Sequence, residues 1–155
     1  MSRMRLLLVD DEERFLATTR ILLEKRGVET ATATNGPDAL EILASRPFDV
    51  VVLDVKMPGM DGVEVLRRIK QKHELVEVIL LTGHASVESA VEGLKLGAFD
   101  YVMKPVDIPD LLAKAEEALS KKQSAEEKAR KAKIHRIVSS PMSVFGKGSD
   151  EDEQD

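Results

Sequence analysis

Short apolar runs recur along the chain between polar or turn-forming residues. Three of them, at 6–9, 50–53 and 78–81, contain no polar alternation. Runs of this length are typical of parallel strands that helices cover on both faces. Two further strands are predicted at 28–33, where alternating residues indicate a sheet edge, and at 99–103. The pattern therefore predicts five short strands.

The segments between these runs space their apolar residues as amphipathic helices do. In the first of these segments, Phe15, Thr19 and Leu22 fall on one stripe, with Leu16 and Leu23 beside it, and this pattern predicts ordinary core packing. Residues that favour helix N-termini stand before three of the segments: Asp11, Asn35 and Asp61. We therefore expect a helix after each strand.

Five successive strand–helix units predict a doubly wound, flavodoxin-like α/β fold, (βα)5, with a parallel sheet in the order 2-1-3-4-5. The predicted domain covers residues 1–120. Beyond it, 121–138 keeps helix-forming residues but loses large apolar ones, and it is predicted as a basic helical extension or linker. The remaining residues, 139–155, are predicted to form a disordered acidic tail.

Composition narrows the classes of function. The apolar runs are far shorter than the ~20 residues that cross a bilayer, so no membrane partner is expected. The first residues lack the apolar stretch of a secretory signal, which predicts a cytoplasmic location. The chain has no cysteine, which excludes disulfides and thiol catalysis. Its three histidines are scattered along the sequence and offer no imidazole cluster for a metal. Any metal must therefore be bound by oxygen.

Charge is distributed unevenly. Residues 1–120 carry 15 basic and 21 acidic side chains, whereas 121–136 carry seven basic and two acidic ones. An acidic domain is unsuited to a phosphate-rich surface, so no direct nucleic-acid partner is expected. The basic segment remains open to three interpretations: a solvated helix, a coiled coil that leads into a further module, or a surface for a partner.

Chemically active side chains follow four of the five predicted strands. Asp10 and Asp11 follow the first strand, Asp54 the third, Thr82 the fourth and Lys104 the fifth. Ligands of open α/β sheets bind at the carboxyl ends of the strands, here in the crevice between the first and third strands. Taken singly, each residue could be a helix cap, a turn residue or a solvated charge. Their joint occurrence at one edge favours a functional site.

The chemistry of this set indicates phosphoryl transfer. Three neighbouring carboxylates repel one another and need a counter-cation, and oxygen ligands with room for water suit Mg²⁺. Lys104 would add one fixed positive charge. Because phosphoryl transfer needs mainly positioning and charge stabilisation, Asp54 is a candidate nucleophile and an aspartyl phosphate is the predicted product.

Longer motifs surround these residues: V-D-D-E at 9–12, L-D-V-K-M-P-G-M-D-G at 53–62, L-T-G-H at 81–84 and G-A-F-D-Y-V-M-K-P at 97–105. They closely resemble the receiver domain of two-component response regulators, and the segment 81–105 is most similar to receivers of the nitrogen-regulatory type. The resemblance covers about residues 4–119. It implies that Asp54 is the phosphoacceptor of a His-Asp phosphorelay.

The resemblance also implies how the site is completed. Asp11 is expected to be a direct Mg²⁺ ligand, Asp10 to complete the acidic pocket, and Asp54 and the backbone carbonyl of Lys56 to be further ligands. The metal set is thus Asp10, Asp11, Asp54 and the Lys56 carbonyl.

The implied switch lies on the last two strands. Thr82 and Lys104 match the pair that holds the phosphoryl oxygens, and Tyr101 matches the aromatic residue that changes rotamer on activation. The peptide between Lys104 and Pro105 is expected to be cis. The implied partners are a sensor histidine kinase or phosphotransfer protein, and a downstream protein that contacts the fourth helix, fifth strand and fifth helix. A homodimer through the basic helix is the alternative account of signalling.

Other functions on the same fold fit less well. A flavin phosphate would meet the acidic turn Asp10–Glu13, which repels it. An aspartyl phosphohydrolase normally has a second acid two residues after its nucleophile, where this chain has Lys56. We therefore expect no enzyme beyond slow self-dephosphorylation. The remaining alternative is a receiver fragment of a longer transcriptional regulator, with ATPase and DNA-binding domains beyond this sequence.

Overall fold

Strands and helices alternate along the chain in the computed structural model, which describes residues 3–139. The strands are β1 (Arg5–Val9), β2 (Glu29–Ala33), β3 (Val50–Asp54), β4 (Glu77–Thr82) and β5 (Asp100–Met103). The helices are α1 (Glu13–Lys25), α2 (Gly36–Ser45), α3 (Gly62–Lys72), α4 (Val87–Lys95) and α5 (Ile108–Ser139), with a 3₁₀ turn at His84–Ser86. Each strand begins and ends within one residue of its predicted bounds.

The five strands form one parallel sheet in the order β2-β1-β3-β4-β5, which confirms the predicted doubly wound fold. Val9 is paired with Leu53, and Thr82 is paired with Met103. This register brings the ends of β1, β3, β4 and β5 to the same edge of the sheet. The residues that end or follow these strands are therefore neighbours in space.

The core lies on both faces of the sheet, because successive side chains of a strand point to opposite faces. On one face, residues of β1 and β3 pack with residues of α2, α3 and α4; its fully buried members include Leu7, Val9, Val51 and Leu53. On the other face they pack with α1 and α5; its fully buried members include Leu6, Leu8, Val50 and Val52.

The buried stripe of α1 differs from the predicted one. Leu16, Thr19 and Leu23 are buried, whereas Leu22, which was predicted to face the core, is 38% exposed. The buried face is the one through Leu16 and Leu23, and the helix is rotated so that Leu22, the residue before Leu23, lies outside it. Phe15 is half-buried at the margin of the stripe. The prediction was therefore wrong for Leu22 and right for Thr19.

Ion pairs connect α5 to the amino ends of the central strands. Lys122 Nζ donates a hydrogen bond to Asp49 Oδ1 at 3.2 Å, and Lys121 Nζ lies 3.6 Å from Glu77 Oε2. The side chain of Glu77 is only 5% exposed and also faces Lys70 at 3.7 Å. Burial lowers the pKa of Lys70, although the Glu77 carboxylate opposes this shift. These contacts lie at the end of the sheet opposite to the carboxyl ends of β1, β3, β4 and β5.

The described residues up to Lys122 belong to one compact unit, and Gln123–Ser139 belong to a second, which consists of further turns of α5. The segment predicted as a basic extension, 121–138, lies within this helix. Of the predicted tail, residues 140–155 lie outside the described residues. Within 3–139, no helix combines the length and apolar character needed to span a membrane.

Candidate functional site

The carboxyl ends of β1, β3, β4 and β5 form one edge of the sheet, called the active edge below. The end of β1 places a fully buried carboxylate at this edge. Asp10 follows β1 directly, its backbone N–H donates to the Ala33 carbonyl at 3.1 Å, and its Oδ1 accepts a hydrogen bond from the Glu12 N–H at 2.9 Å. Asp11 was expected to cap α1, but the N-cap residue is Glu12, without a side-chain capping bond. Asp11 is exposed, and one of its carboxylate oxygens lies within 4.8 Å of oxygens of Asp10 and Asp54.

Asp54 is the last residue of β3, and its side chain is 9% exposed. Its Oδ1 accepts a hydrogen bond from the Lys56 N–H at 3.2 Å. Burial, followed by the charge of Asp10, raises the pKa of Asp54 to about 6, although Lys104 and the Lys56 hydrogen bond lower it. With a pKa of about 6, the Asp54 carboxyl is mostly ionised at neutral pH yet poorly solvated, which suits the candidate nucleophile that the sequence predicts.

Lys104 is the positive charge of the site. Its Nζ lies 2.7 Å from Asp10 Oδ2, 3.3 Å from Glu12 Oε1 and 3.6 Å from Asp54 Oδ2. Burial acts to lower the pKa of Lys104, but the contact with Asp10 and the charge of Asp54 outweigh it and raise that pKa. The ammonium is therefore held firmly in its charged form.

The carboxylates fit a hard divalent cation. One oxygen from each of Asp10, Asp11 and Asp54 lies within 4.8 Å of the others. Asp10 Oδ2 is buried and has the Lys104 ammonium as an ionic neighbour, but it accepts no hydrogen bond of good geometry. An all-oxygen set with buried and exposed members suits Mg²⁺, which usually retains several waters. Lys56, whose carbonyl is a predicted further ligand, follows two residues after Asp54.

Thr82 and Tyr101 lie on the neighbouring strands. Thr82 ends β4, is buried, and donates its hydroxyl to the Gly83 carbonyl at 3.1 Å. Its own carbonyl accepts a hydrogen bond from the Lys104 N–H at 2.8 Å. The half-buried Tyr101 packs against the core on the α2–α4 face of the sheet. The peptide between Lys104 and Pro105 is cis, as expected.

A glycine fixes the loop after Asp54 and was not recognised from the sequence. Gly62 begins α3, and a Cβ there would collide with the Asp54 carbonyl oxygen and lie 2.7 Å from Val55 Cα. Asp61 caps the same helix by accepting the Glu64 N–H at 3.0 Å, as predicted. Gly62 is the last residue of the motif at 53–62 and directly follows the helix cap Asp61, and these were the signals that the sequence offered. The glycine allows α3 to start against the backbone of the acceptor residue.

Two further neighbours of the site were also missed. Glu12 Oε1 accepts a hydrogen bond from Lys104 Nζ, and the ammonium lies 5.1 Å from the centroid of the Phe15 ring. The sequence suggested only an acidic turn and a core residue for these positions. Phe15 nevertheless follows Asp11 by one helical turn, which places it at the same end of α1.

Comparison with known proteins agrees with this geometry. The family model described as "Response regulator receiver domain" matches residues 6–116. The crystal structure of a response regulator receiver domain protein from Clostridium thermocellum is 36% identical, with a TM-score of 0.76, and the match covers 79% of this chain and 98% of that one. The match spans nearly all of the solved receiver domain.

Curated relatives match over the same region. The DNA-binding transcriptional regulator NtrC of Escherichia coli (strain K12) is 40% identical over 119 residues, which are 77% of this chain and 25% of the relative. The transcriptional regulatory protein ZraR of the same strain is 37% identical over 142 residues, which are 92% of this chain and 31% of the relative. The chain thus spans between a quarter and a third of the length of these relatives. It belongs to the response regulator receiver domain family, and the relatives that it matches include NtrC-type regulators.

Proposed function

We propose that this chain accepts a phosphoryl group on Asp54, with Mg²⁺, from the phosphohistidine of a sensor histidine kinase or phosphotransfer protein. The observation that carries the proposal is the position of Asp54, which is buried between two further carboxylates and one ammonium at the active edge. Membership of the receiver family supports it.

In the proposed step, an oxygen of the ionised Asp54 carboxylate forms a bond to phosphorus while the bond from phosphorus to the imidazole nitrogen breaks. The imidazole retains the electron pair of that bond and takes up a proton from solvent. Bound Mg²⁺, held by Asp10, Asp11, Asp54 and the Lys56 carbonyl, would neutralise and align the phosphoryl oxygens. Lys104 already lies 3.6 Å from Asp54 Oδ2, so a small movement would bring its ammonium to a phosphoryl oxygen.

The same arrangement supports a switch. A phosphoryl group adds nearly two negative charges and strong acceptors beside Thr82. The Thr82 hydroxyl would then leave the Gly83 carbonyl, to which it donates at 3.1 Å, and bond the phosphoryl group. Tyr101 would turn towards the vacated space, which would change the surface of α4, β5 and α5 for a downstream protein. We expect slow self-dephosphorylation to be the only turnover.

The test is phosphorylation with acetyl phosphate, with and without Mg²⁺, followed by intact mass and peptide mapping. We expect one added phosphoryl group on Asp54, only with Mg²⁺, and none on Asp54→Asn. Asp110→Asn, which removes an exposed aspartate of α5, is the matched control and should react as the unsubstituted chain does. Modification of the Asp54→Asn variant at an unchanged rate would contradict the acceptor assignment.

A second proposal is that the chain is the receiver part of a longer transcriptional regulator. It is favoured by the match to ZraR, which extends over 142 residues, beyond the 6–116 of the family model. Reading the coding sequence past Asp155 tests this proposal. A stop codon directly after Asp155 would contradict it.

A further inference from the structure

The ammonium of Lys104 has two neighbours at the start of α1 besides the carboxylates of the acidic pocket. Glu12 Oε1 lies 3.3 Å from Nζ, and the ring centroid of Phe15 lies 5.1 Å from it. The Glu12 side chain is 65% exposed, so water screens its charge and weakens its attraction for the ammonium. Phe15 is half-buried and packs in the apolar cluster on the α1 and α5 face.

The two contacts act differently on the ammonium. Glu12 competes with Asp54 for the same N–H donors, and a phosphoryl group on Asp54 would draw those donors away from it. A cation within about 6 Å of an aromatic face is attracted by the ring quadrupole, and this attraction uses no hydrogen-bond donor. The ring can therefore keep its contact while Lys104 exchanges one acceptor for another.

Lys104 is also positioned for such an exchange. Its side chain is 25% exposed and borders an open groove of about 650 Å³, which Phe15, Leu22 and Val106 also line. A lysine side chain has four flexible carbons, which let its ammonium move from one acceptor to another. The buried carboxylate of Asp10, 2.7 Å from the ammonium, holds it in the site. The packed ring of Phe15 adds a contact that does not depend on which oxygen accepts the hydrogen bonds.

We infer that Phe15 is a positioning residue for Lys104, which holds the ammonium within reach of the phosphoryl oxygens on Asp54. This inference rests on the proposed function, because it assigns Lys104 to those oxygens. It gives Phe15 a role in the rate of phosphoryl capture in addition to its role in packing.

The experiment compares the rate of phosphorylation by acetyl phosphate at saturating Mg²⁺ in three variants. Phe15→Leu keeps an apolar side chain but removes the ring, and its rate should fall about two- to fivefold. Phe15→Tyr keeps the ring face and should retain most of the rate. The matched control is Phe99→Leu, because Phe99 packs in the same cluster and lies 5.9 Å from a different ammonium, that of Lys121. This control should react at the rate of the unsubstituted chain.

NMR of the unphosphorylated chain provides a second readout, which packing alone would not change. The ring current of Phe15 should shift the Lys104 side-chain protons upfield in the unsubstituted chain and in Phe15→Tyr, but not in Phe15→Leu. An unchanged rate in Phe15→Leu, an equal loss in Phe15→Tyr, or an equal loss in Phe99→Leu would each overturn the inference. Failure of the proposed function would look different, because the unsubstituted chain would then take up no phosphoryl group. The upfield shift of the Lys104 protons would in that case still show whether the Phe15 ring contacts the ammonium.

Discussion

Asp54 is held in an environment that penalises its charge, so its replacement by asparagine is expected to stabilise the fold when no divalent cation is bound. Its pKa rises from 3.8 to about 6, chiefly through burial and then through the charge of Asp10. A rise of about 2 pKa units corresponds to roughly 3 kcal/mol at neutral pH. The amide of Asp54→Asn loses part of the attraction that the carboxylate has for Lys104 and the Lys56 N–H. We therefore expect the free energy of unfolding to rise by about 1–3 kcal/mol in this variant.

The gain should depend on pH in a defined direction. Since the pKa of Asp54 is raised on folding, the folded chain binds more protons than the unfolded chain between about pH 4 and pH 6. The unsubstituted chain therefore becomes more stable, through this group, as pH falls through that window. The advantage of Asp54→Asn should be full above about pH 6 and should vanish towards pH 4.

Urea unfolding followed by far-ultraviolet circular dichroism measures this difference, with EDTA present, at neutral pH and near pH 4. Glu41→Gln removes one negative charge from the exposed side of α2 and is the control for net charge. Added Mg²⁺ should stabilise the unsubstituted chain more than the variant and narrow the gap, because the cation binds the folded state. Equal stability of the two chains at neutral pH, or a gap that persists unchanged to pH 4, would refute the reasoning.

Three further predictions follow from the site. Asp11→Ala should weaken Mg²⁺ binding at least about tenfold in a calorimetric titration, because it removes a proposed carboxylate ligand, and unchanged affinity would exclude that role. Gly62→Ala should cost about 1–3 kcal/mol in urea unfolding because its Cβ meets backbone, whereas Gly83→Ala, whose Cβ would enter open space, is the control. Thr82→Ala should still be phosphorylated while the NMR signals of the Tyr101 ring stay as in the unphosphorylated chain; a ring response that survives would contradict the coupling.

The strand ends were predictable from the sequence because unbroken apolar runs mark the strands. Continuous apolar runs located β1, β3 and β4, and parallel pairing then required Asp10, Asp54 and Thr82 to share one edge. The prediction therefore needed no knowledge of side-chain conformations. The strand order was predicted on different grounds, because 2-1-3-4-5 is the usual arrangement of five parallel strands in a doubly wound sheet.

The remaining features depend on contacts between distant segments. The collision of a Cβ at Gly62 with the backbone of Asp54 follows from how closely α3 approaches β3, which no local pattern records. The contact of Phe15 with Lys104 joins residues far apart in sequence, and its spacing alone matched ordinary core packing. The exposure of Leu22 depends on the rotation of α1 about its axis, which a stripe of apolar residues defines only to within about one residue.

The hydrogen bond from the Lys104 N–H to the Thr82 carbonyl has a consequence for the speed of any rearrangement at this edge. It joins the carboxyl ends of β4 and β5, so neither strand can slide past the other without breaking the sheet ladder. Motion is left to side-chain rotations and to the short turn His84–Ser86. Rotamer changes and loop motions occur within nanoseconds to microseconds, whereas collective shifts of packed elements take microseconds to milliseconds. This edge should therefore rearrange faster than packed elements shift. NMR order parameters should be lower at residues 83–86 than in β4 and β5, and relaxation-dispersion NMR should show no millisecond exchange in the two strands.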